Sequence, residues 1–256
     1  MKEVMVDDNA SKKYKRKSLY AFIAFFIMIG AAYGSWKWLN HQPLDGGLRG
    51  GIQQPLRNVL DANEKLFTST FDRNKLIKEY PKSEAVKKVR VNGDAGLDTT
   101  FFDAKDWKLQ IVKSNNDTLF ITLDDIRALP KTEVTFNFKC IEGWNQVTNW
   151  GGVRFSDFAK HYGLAKEMDL KYVGMKTPDE EYYVGIDMPS ILQPQTILCY
   201  EMNGSPLPMN QGFPLRLIIP VKYGVKHIKR IGTIFFNNEK PADYWAERGY
   251  DYYTGH

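Results

Sequence analysis

From Leu19 to Trp36 the chain runs eighteen residues without a charge, LYAFIAFFIMIGAAYGSW. As a helix, at about 1.5 Å rise per residue, this nearly covers a hydrocarbon core of roughly 30 Å. Lys12, Lys13, Lys15, Arg16 and Lys17 precede it. Such a cluster stays in the cytoplasm and places everything after Trp38 on the far side, with Trp36 and Trp38 at the outer interface. Three alternatives compete. A soluble core helix is rarely apolar all round. A cleavable signal peptide could use the small residues Gly30-Ala31-Ala32, but its apolar region usually runs about 7–15 residues. An anchor could also leave the domain cytoplasmic. The expected organisation is a basic cytoplasmic tail over 1–18, a single-pass transmembrane anchor over 19–38, a Gly-rich linker over 39–55 and one domain over 56–256, outside the inner membrane.

Beyond the linker, Leu56, Val59, Leu60, Phe67 and Phe71 recur at helical spacing, which predicts a helix or helix pair ended before Pro81. The period then changes. Trp107, Leu109 and Ile111 alternate with polar residues, Asn115-Asn116-Asp117 makes a turn, and Thr118 to Thr122 returns, a β-hairpin pattern. Thr122-x-x-Asp125 reads as a capping box opening a short helix to Leu129. Strands are expected at 132–139, 170–175, 182–186, 196–202, 215–219 and 228–236, and short helices at 156–162 and 189–193. Without regular βαβ alternation the fold class is α+β with mixed sheets.

Composition removes several functions. The chain carries 35 Lys/Arg against 30 Asp/Glu, net +5. Six of those cations and three of the acids lie in residues 1–18, which leaves +2 for the rest. A nearly neutral domain does not suit a nucleic-acid backbone, so no nucleic-acid partner is expected. Two cysteines, Cys140 and Cys199, make no disulfide framework. His41, His161, His227 and His256 offer no zinc-ligand spacing. Walker, G-x-G-x-x-G and G-x-S-x-G motifs are absent, and no nucleotide cofactor is expected.

Two segments carry chemistry. In the first, Val134, Phe136, Phe138 and Cys140 fall at period 2, so the cysteine ends the apolar face of a strand just before Glu142-Gly143. It is either a buried structural thiol or a reactive atom presented at the strand's end. In the second, Asn203-Gly204 is a turn and Arg216 opens an apolar strand. Lys222, Lys226, Lys229 and Arg230 follow, as a solvated basic loop or an anion site beside glycines.

Taken together, Cys140-Ile-Glu-Gly-Trp144 with Trp150 and Gly152, Asn203-Gly204, Gly212-x-Pro-x-Arg216, Pro220, Tyr223-Gly224 and Lys229 resemble the molybdopterin domain of the sulfite oxidase superfamily. The closer likeness is to its haem-free bacterial branch, which includes the catalytic subunit of the periplasmic methionine sulfoxide reductase. The resemblance spans about Arg90 to Phe236. It implies molybdenum held by the two dithiolene sulfurs of one molybdopterin and by Cys140, with cofactor contacts at Asn92, Gln211, Arg216, His227, Ile228 and Lys229. The reductase branch has asparagine where this chain has Gln211, and the family's threonine contact has no clear match around Val173-Gly174. Arg90 and Arg154 become candidates to polarise a substrate oxygen, Trp144 and Trp150 to wall the site, and Glu142 to relay protons.

The implied activity is two-electron oxygen-atom transfer, as reduction of a small or side-chain S-oxide or N-oxide. Oxidation of sulfite or a related anion is the alternative, and so is a non-catalytic binding module on the same scaffold. No C-x-x-C-H haem motif is present, so electrons are expected from a separate membrane or cytochrome partner. Export of a folded, loaded domain would use the twin-arginine route, although the basic stretch Lys15-Arg16-Lys17 holds no Arg-Arg pair.

Overall fold

The apolar N-terminal run forms one uninterrupted helix, α1 (Asp8–Asn40), in a computed structural model that describes residues 8–46, 51–91, 93–100 and 102–256. Among the described residues it is the one helix long and apolar enough to cross a membrane, and none of its most apolar window is buried in the protein. That exposure does not fit the core-helix alternative. The second helix, α2 (Gln54–Thr70), starts with a proline in its first turn, where the missing N–H has no helical partner to lose. It stops well short of Pro81. Thr68, Ser69 and Thr70 turn their hydroxyls onto carbonyls one turn back, a competition that weakens helices, and the chain continues as irregular structure.

The hairpin forms as expected. Strands β1 (Leu109–Val112) and β2 (Thr118–Ile121) pair antiparallel, with Leu109 opposite Ile121. Thr122 then caps α3 (Leu123–Arg127) in a full capping box with Asp125. Strand β3 (Lys131–Lys139) turns at Cys140 into β4 (Asn145–Arg154), which leads through α4 (Phe155–His161) and α5 (Ala165–Met168). The hairpin β5 (Tyr172–Lys176) and β6 (Tyr183–Asp187) is followed by α6 (Met188–Ile191). Then come β7 (Ile197–Met202), the short β8 (Ser205–Pro206), β9 (Arg216–Ile218) and β10 (Thr233–Asn237).

These strands make two five-stranded sheets, so the fold is α+β with mixed sheets. One runs β2-β1-β10-β5-β6, with β1 and β10 parallel; the other runs β3-β4-β7, with β8 and β9 on separate halves of β7. The strand expected at 228–236 begins only at Thr233, because residues 228–232 carry the chain from one sheet to the other: Leu217 N–H donates to Ile228 and Gly232 N–H to Lys176. Strand β4 was not expected from sequence at all. Its residues, NQVTNWGGVR, are polar and Gly-rich, yet it is the middle strand between β3 and β7. Buried Asn149 is satisfied by the Thr135 hydroxyl at 2.8 Å. Gly152 is required there, since a Cβ would lie 2.1 Å from the Leu198 carbonyl.

Two apolar cores result. The larger lies on the five-stranded sheet containing β10 and includes Leu109, Ile111, Phe155, Phe158, Val173, Ile186 and Ile234. The smaller joins Val134, Phe136, Phe138 and Cys140 of the period-2 face to Trp150, Ile197, Cys199 and Ile218.

Candidate active site

Alternation along β3 delivers Cys140 to the smaller core at the strand's end, where it is 5% exposed. The turn behind it is tight. Gly143 N–H donates to the Cys140 carbonyl, Cys140 N–H donates to the Trp144 carbonyl, and Gly143 takes φ +88°, a left-handed value that suits glycine. Burial pushes the thiol above its ordinary pKa, offset in part by the Glu142 and Ile141 N–H groups. The sulfur borders a cavity of about 220 Å³ that Glu142, Tyr182, His227, Lys229 and Trp245 also line. A larger hollow, about 660 Å³, lies between α2 and the β5–β6 side of the fold, but neither cysteine nor histidine lines it. Cys140, His227 and Lys229 line the smaller one.

Two cations gather beside the cavity: Lys229 lines it, and Arg216 is buried next to Lys229. Arg216 is 1% exposed, and its guanidinium stacks 4.7 Å over the Trp150 ring. Nη1 donates to the Gln211 carbonyl and side-chain oxygen, Nη2 to the His227 carbonyl, and among the described residues Nε has no partner. Among the described residues Arg216 makes no ion pair. Burial lowers its pKa to about 10. A buried guanidinium without an acid is costly unless an anion completes it.

Lys229 lies beside it, its ammonium donating to the Gly93 carbonyl. Burial, and then Arg216, bring its pKa down to about 7. Gly212, at φ +97°, lets the Gln211 turn close on this pair, since a Cβ would meet the Arg230 amide and Lys229 Cβ at 2.8 Å. His227 is buried with its Nε2 3.1 Å from the Lys222 carbonyl and its Nδ1 without a partner among the described residues. Burial and the neighbouring Arg216 push its pKa down to about 3, so the ring is neutral. With Nε2–H given to the carbonyl, Nδ1 is a free acceptor.

The expected site residues divide. Cys140, His227 and Lys229 share the cavity, and Gln211 and Arg216 stand directly behind it. Ile228 is wholly buried and its carbonyl accepts from Leu217. Arg90 lies at the rim, 4.7 Å over the Trp144 ring and 3.8 Å from Glu142, whose carboxylate also accepts from Trp144 at 2.7 Å. Asn92 lies outside the described residues. Arg154 is not brought to the site. It is exposed at the far end of β4, while Asn145 at the near end pairs with Lys139; at about 3.3 Å per residue the strand separates the two by about 30 Å.

Sequence reasoning missed Tyr182, Trp245 and Tyr250, which also line the cavity. Tyr182 gives its hydroxyl to the Val225 carbonyl at 2.6 Å, and burial raises its pKa strongly. The aromatic-rich run Tyr244-Trp245 to Tyr252-Tyr253 was the available signal.

Among the described residues no cluster of three His, Cys, Asp or Glu side chains could hold a metal ion. A metal at Cys140 would therefore take its other ligands from a bound group. A buried soft donor and an ammonium lining one cavity, with a guanidinium buried next to that ammonium, fit a metal carried by a phosphorylated organic cofactor.

Comparison with known proteins agrees with that chemistry. Residues 96–245 match the family described as oxidoreductase molybdopterin binding domain. The YedZ1 protein of Azospira oryzae, provisionally named a protein-methionine-sulfoxide reductase subunit, is 37% identical over 186 residues, covering 72% of this chain and 70% of that protein. The protein-methionine-sulfoxide reductase catalytic subunit MsrP of Campylobacter jejuni is 31% identical, over 60% of this chain and 57% of that protein. Mitochondrial sulfite oxidase of Rattus norvegicus is 27% identical, over 58% of this chain and 32% of that protein.

Proposed function

The chain belongs to the oxidoreductase molybdopterin-binding domain family, and from that premise we propose a membrane-anchored enzyme that reduces S-oxides, oxidised methionine foremost, on the outer face of the inner membrane. One observation carries the assignment of the site: the Cys140 thiol and the Lys229 ammonium line one pocket, and Arg216, without an acid partner among the described residues, is buried next to Lys229. Molybdenum held by one molybdopterin and by Cys140 would supply two-electron exchange coupled to oxygen-atom transfer.

The chain's own residues then have separate tasks. Arg216 and Lys229 bind the cofactor's phosphate by charge-assisted bonds. Gln211 orients Arg216, and neutral His227 offers Nδ1 as an acceptor to a pterin N–H. At the mouth, Arg90 is held by Trp144 and Glu142 where it can donate to the substrate's S–O oxygen, and the Glu142 carboxylate can pass on one of the two protons consumed as the sulfur is reduced and its oxygen leaves as water. Trp245 and Tyr250 narrow the entrance around a thioether-sized group. Arg154 has no task in this scheme.

The direction rests on the names of the two sulfoxide reductase relatives, and the electrons on a separate membrane partner. Oxidation of sulfite keeps the same residues and rests on the weaker likeness to sulfite oxidase.

The decisive experiment compares wild type, Cys140→Ser and Cys199→Ser, expressed with ample molybdate. Wild type should carry about one molybdenum per chain and reduce methionine sulfoxide with an artificial donor. Cys140→Ser should keep pterin, change the molybdenum magnetic-resonance signal and drop to background activity. Cys199, wholly buried with its pKa pushed up to about 12 by burial, should leave that signal intact when changed. Wild-type protein without molybdenum would overturn the assignment, and turnover of sulfite but not of the sulfoxide would reverse the direction.

A further inference from the structure

Helix α2 is amphipathic, but it is docked the wrong way round for a globular domain. At about 100° per residue, Leu56, Val59, Asn63, Leu66, Phe67 and Thr70 fall within an arc of about 100°. That arc faces solvent: Leu56 is 41% exposed, Val59 57%, Leu66 59% and Phe67 56%. The polar side holds the domain instead. Arg57 donates to Asp45 and to the Ala246 and Tyr250 carbonyls, and Glu64 pairs with Lys240 at 2.6 Å. Surface helices ordinarily bury the apolar stripe and expose the charges.

The position of that stripe identifies what covers it. Three residues after α1 ends, Pro43 and Leu44 turn back onto α2. Gln54 N–H donates to the Pro43 carbonyl, Leu44 bridges Gln53, and Asp45 and Ile52 exchange bonds. The first turn of α2 is therefore fastened beside the outer end of the apolar helix. Leu44 is exposed as well.

We propose that α2 lies in the interface of the bilayer that α1 crosses, its Leu56–Phe67 stripe among the acyl chains, which rests on the membrane anchorage proposed above. A stripe with no charge and only Asn63 and Thr70 to hydrogen-bond is chemically suited to lipid, where no specific pairing is asked of it. The arrangement also orients the site. Arg57, on the same helix, holds the Ala246–Tyr250 segment, and Trp245 and Tyr250 line the Cys140 cavity. The mouth of the pocket is thereby set relative to the membrane surface from which electrons would arrive.

The test uses the full-length chain in vesicles of phosphatidylethanolamine and phosphatidylglycerol, with or without nitroxide-labelled acyl chains. An environment-sensitive fluorophore is placed at Val59→Cys and Leu66→Cys on the stripe. Asn58→Cys and Lys65→Cys on the opposite, exposed side and Ile27→Cys in α1 serve as references, and wild type, whose own two cysteines are buried, sets the labelling background. The stripe probes should be quenched nearly as strongly as the α1 probe and severalfold more than the opposite-side probes. Equal, weak quenching at 58, 59, 65 and 66 with strong quenching at 27 would overturn the inference while leaving the anchor intact. A blue-shifted but unquenched stripe would overturn it in favour of a protein occupant. An unquenched α1 probe would remove the anchorage itself.

Discussion

Gln211 and Arg216 are locked together: the guanidinium Nη1 lies 2.9 Å from the amide oxygen and 3.1 Å from the carbonyl of Gln211, whose amide nitrogen donates in turn to the Arg90 carbonyl. Gln211 thus aims the cation rather than neutralising it. Gln211→Glu would supply the missing acid. The cofactor-free protein should unfold no more easily than wild type, since a buried pair replaces an uncompensated charge. Cofactor occupancy at limiting supply should fall about tenfold or more, as the phosphate loses a charge-assisted bond of roughly 1.5–3 kcal/mol. Unfolding midpoints and molybdenum content measure the two effects. Full occupancy would place the phosphate elsewhere.

Arg216→Met separates binding from folding by a second route. The thioether fills much of the same volume against Trp150 without burying a charge. Stability of the cofactor-free domain in urea should be unchanged or higher, while occupancy falls about 10- to 150-fold. A variant that loses stability and retains cofactor would make Arg216 a structural cation.

Membrane attachment should survive stripping. Full-length protein is expected to stay in the pellet after alkaline carbonate extraction, and an external protease should cut in the Gly-rich stretch between α1 and α2. A soluble mature chain beginning near Tyr33 would show that a signal peptide had been removed instead.

Much of this architecture could be read from the chain because its cues are local. The β1–β2 hairpin, the Thr122 capping box and the alternating face that ends at Cys140 each occupy a few consecutive residues. Strand β4 could not, because its stability comes from neighbours: the Asn149–Thr135 bond and the closeness of Gly152 to Leu198 exist only once β3 and β7 flank it. The same holds at the site. Arg154 looked as useful as Arg90 until the length of β4 separated them, and Tyr182, Trp245 and Tyr250 reach the cavity from hairpin and C-terminal segments that no short motif links to Cys140. The outward stripe of α2 had the period of a core-facing helix, and nothing in its spacing says which face the domain takes.

Stability should depend on pH through the buried site groups. His227 has its pKa pushed down to about 3 by burial and then by Arg216, whereas an unfolded histidine titrates near 6.5. Its contribution to stability is therefore complete above about pH 6.5 and is lost as pH falls toward 3, at up to about 1.4 kcal/mol per unit, because only the unfolded chain takes the proton. Lys229, lowered by burial and Arg216 to about 7, and Lys222, lowered by burial to about 8, act in the same sense at higher pH. In the cofactor-free protein stability should rise from neutral pH toward about pH 10, where the unfolded lysines lose their protons. A bound phosphate restores the Lys229 proton, so the loaded protein should be flatter over that window. Denaturation curves between about pH 4 and pH 10, for cofactor-free and loaded protein, measure both limbs. His227→Gln should flatten the acid limb and Lys229→Met the alkaline one. If Lys229→Met leaves the alkaline slope unchanged, or if cofactor loading does, Lys229 does not face the anion.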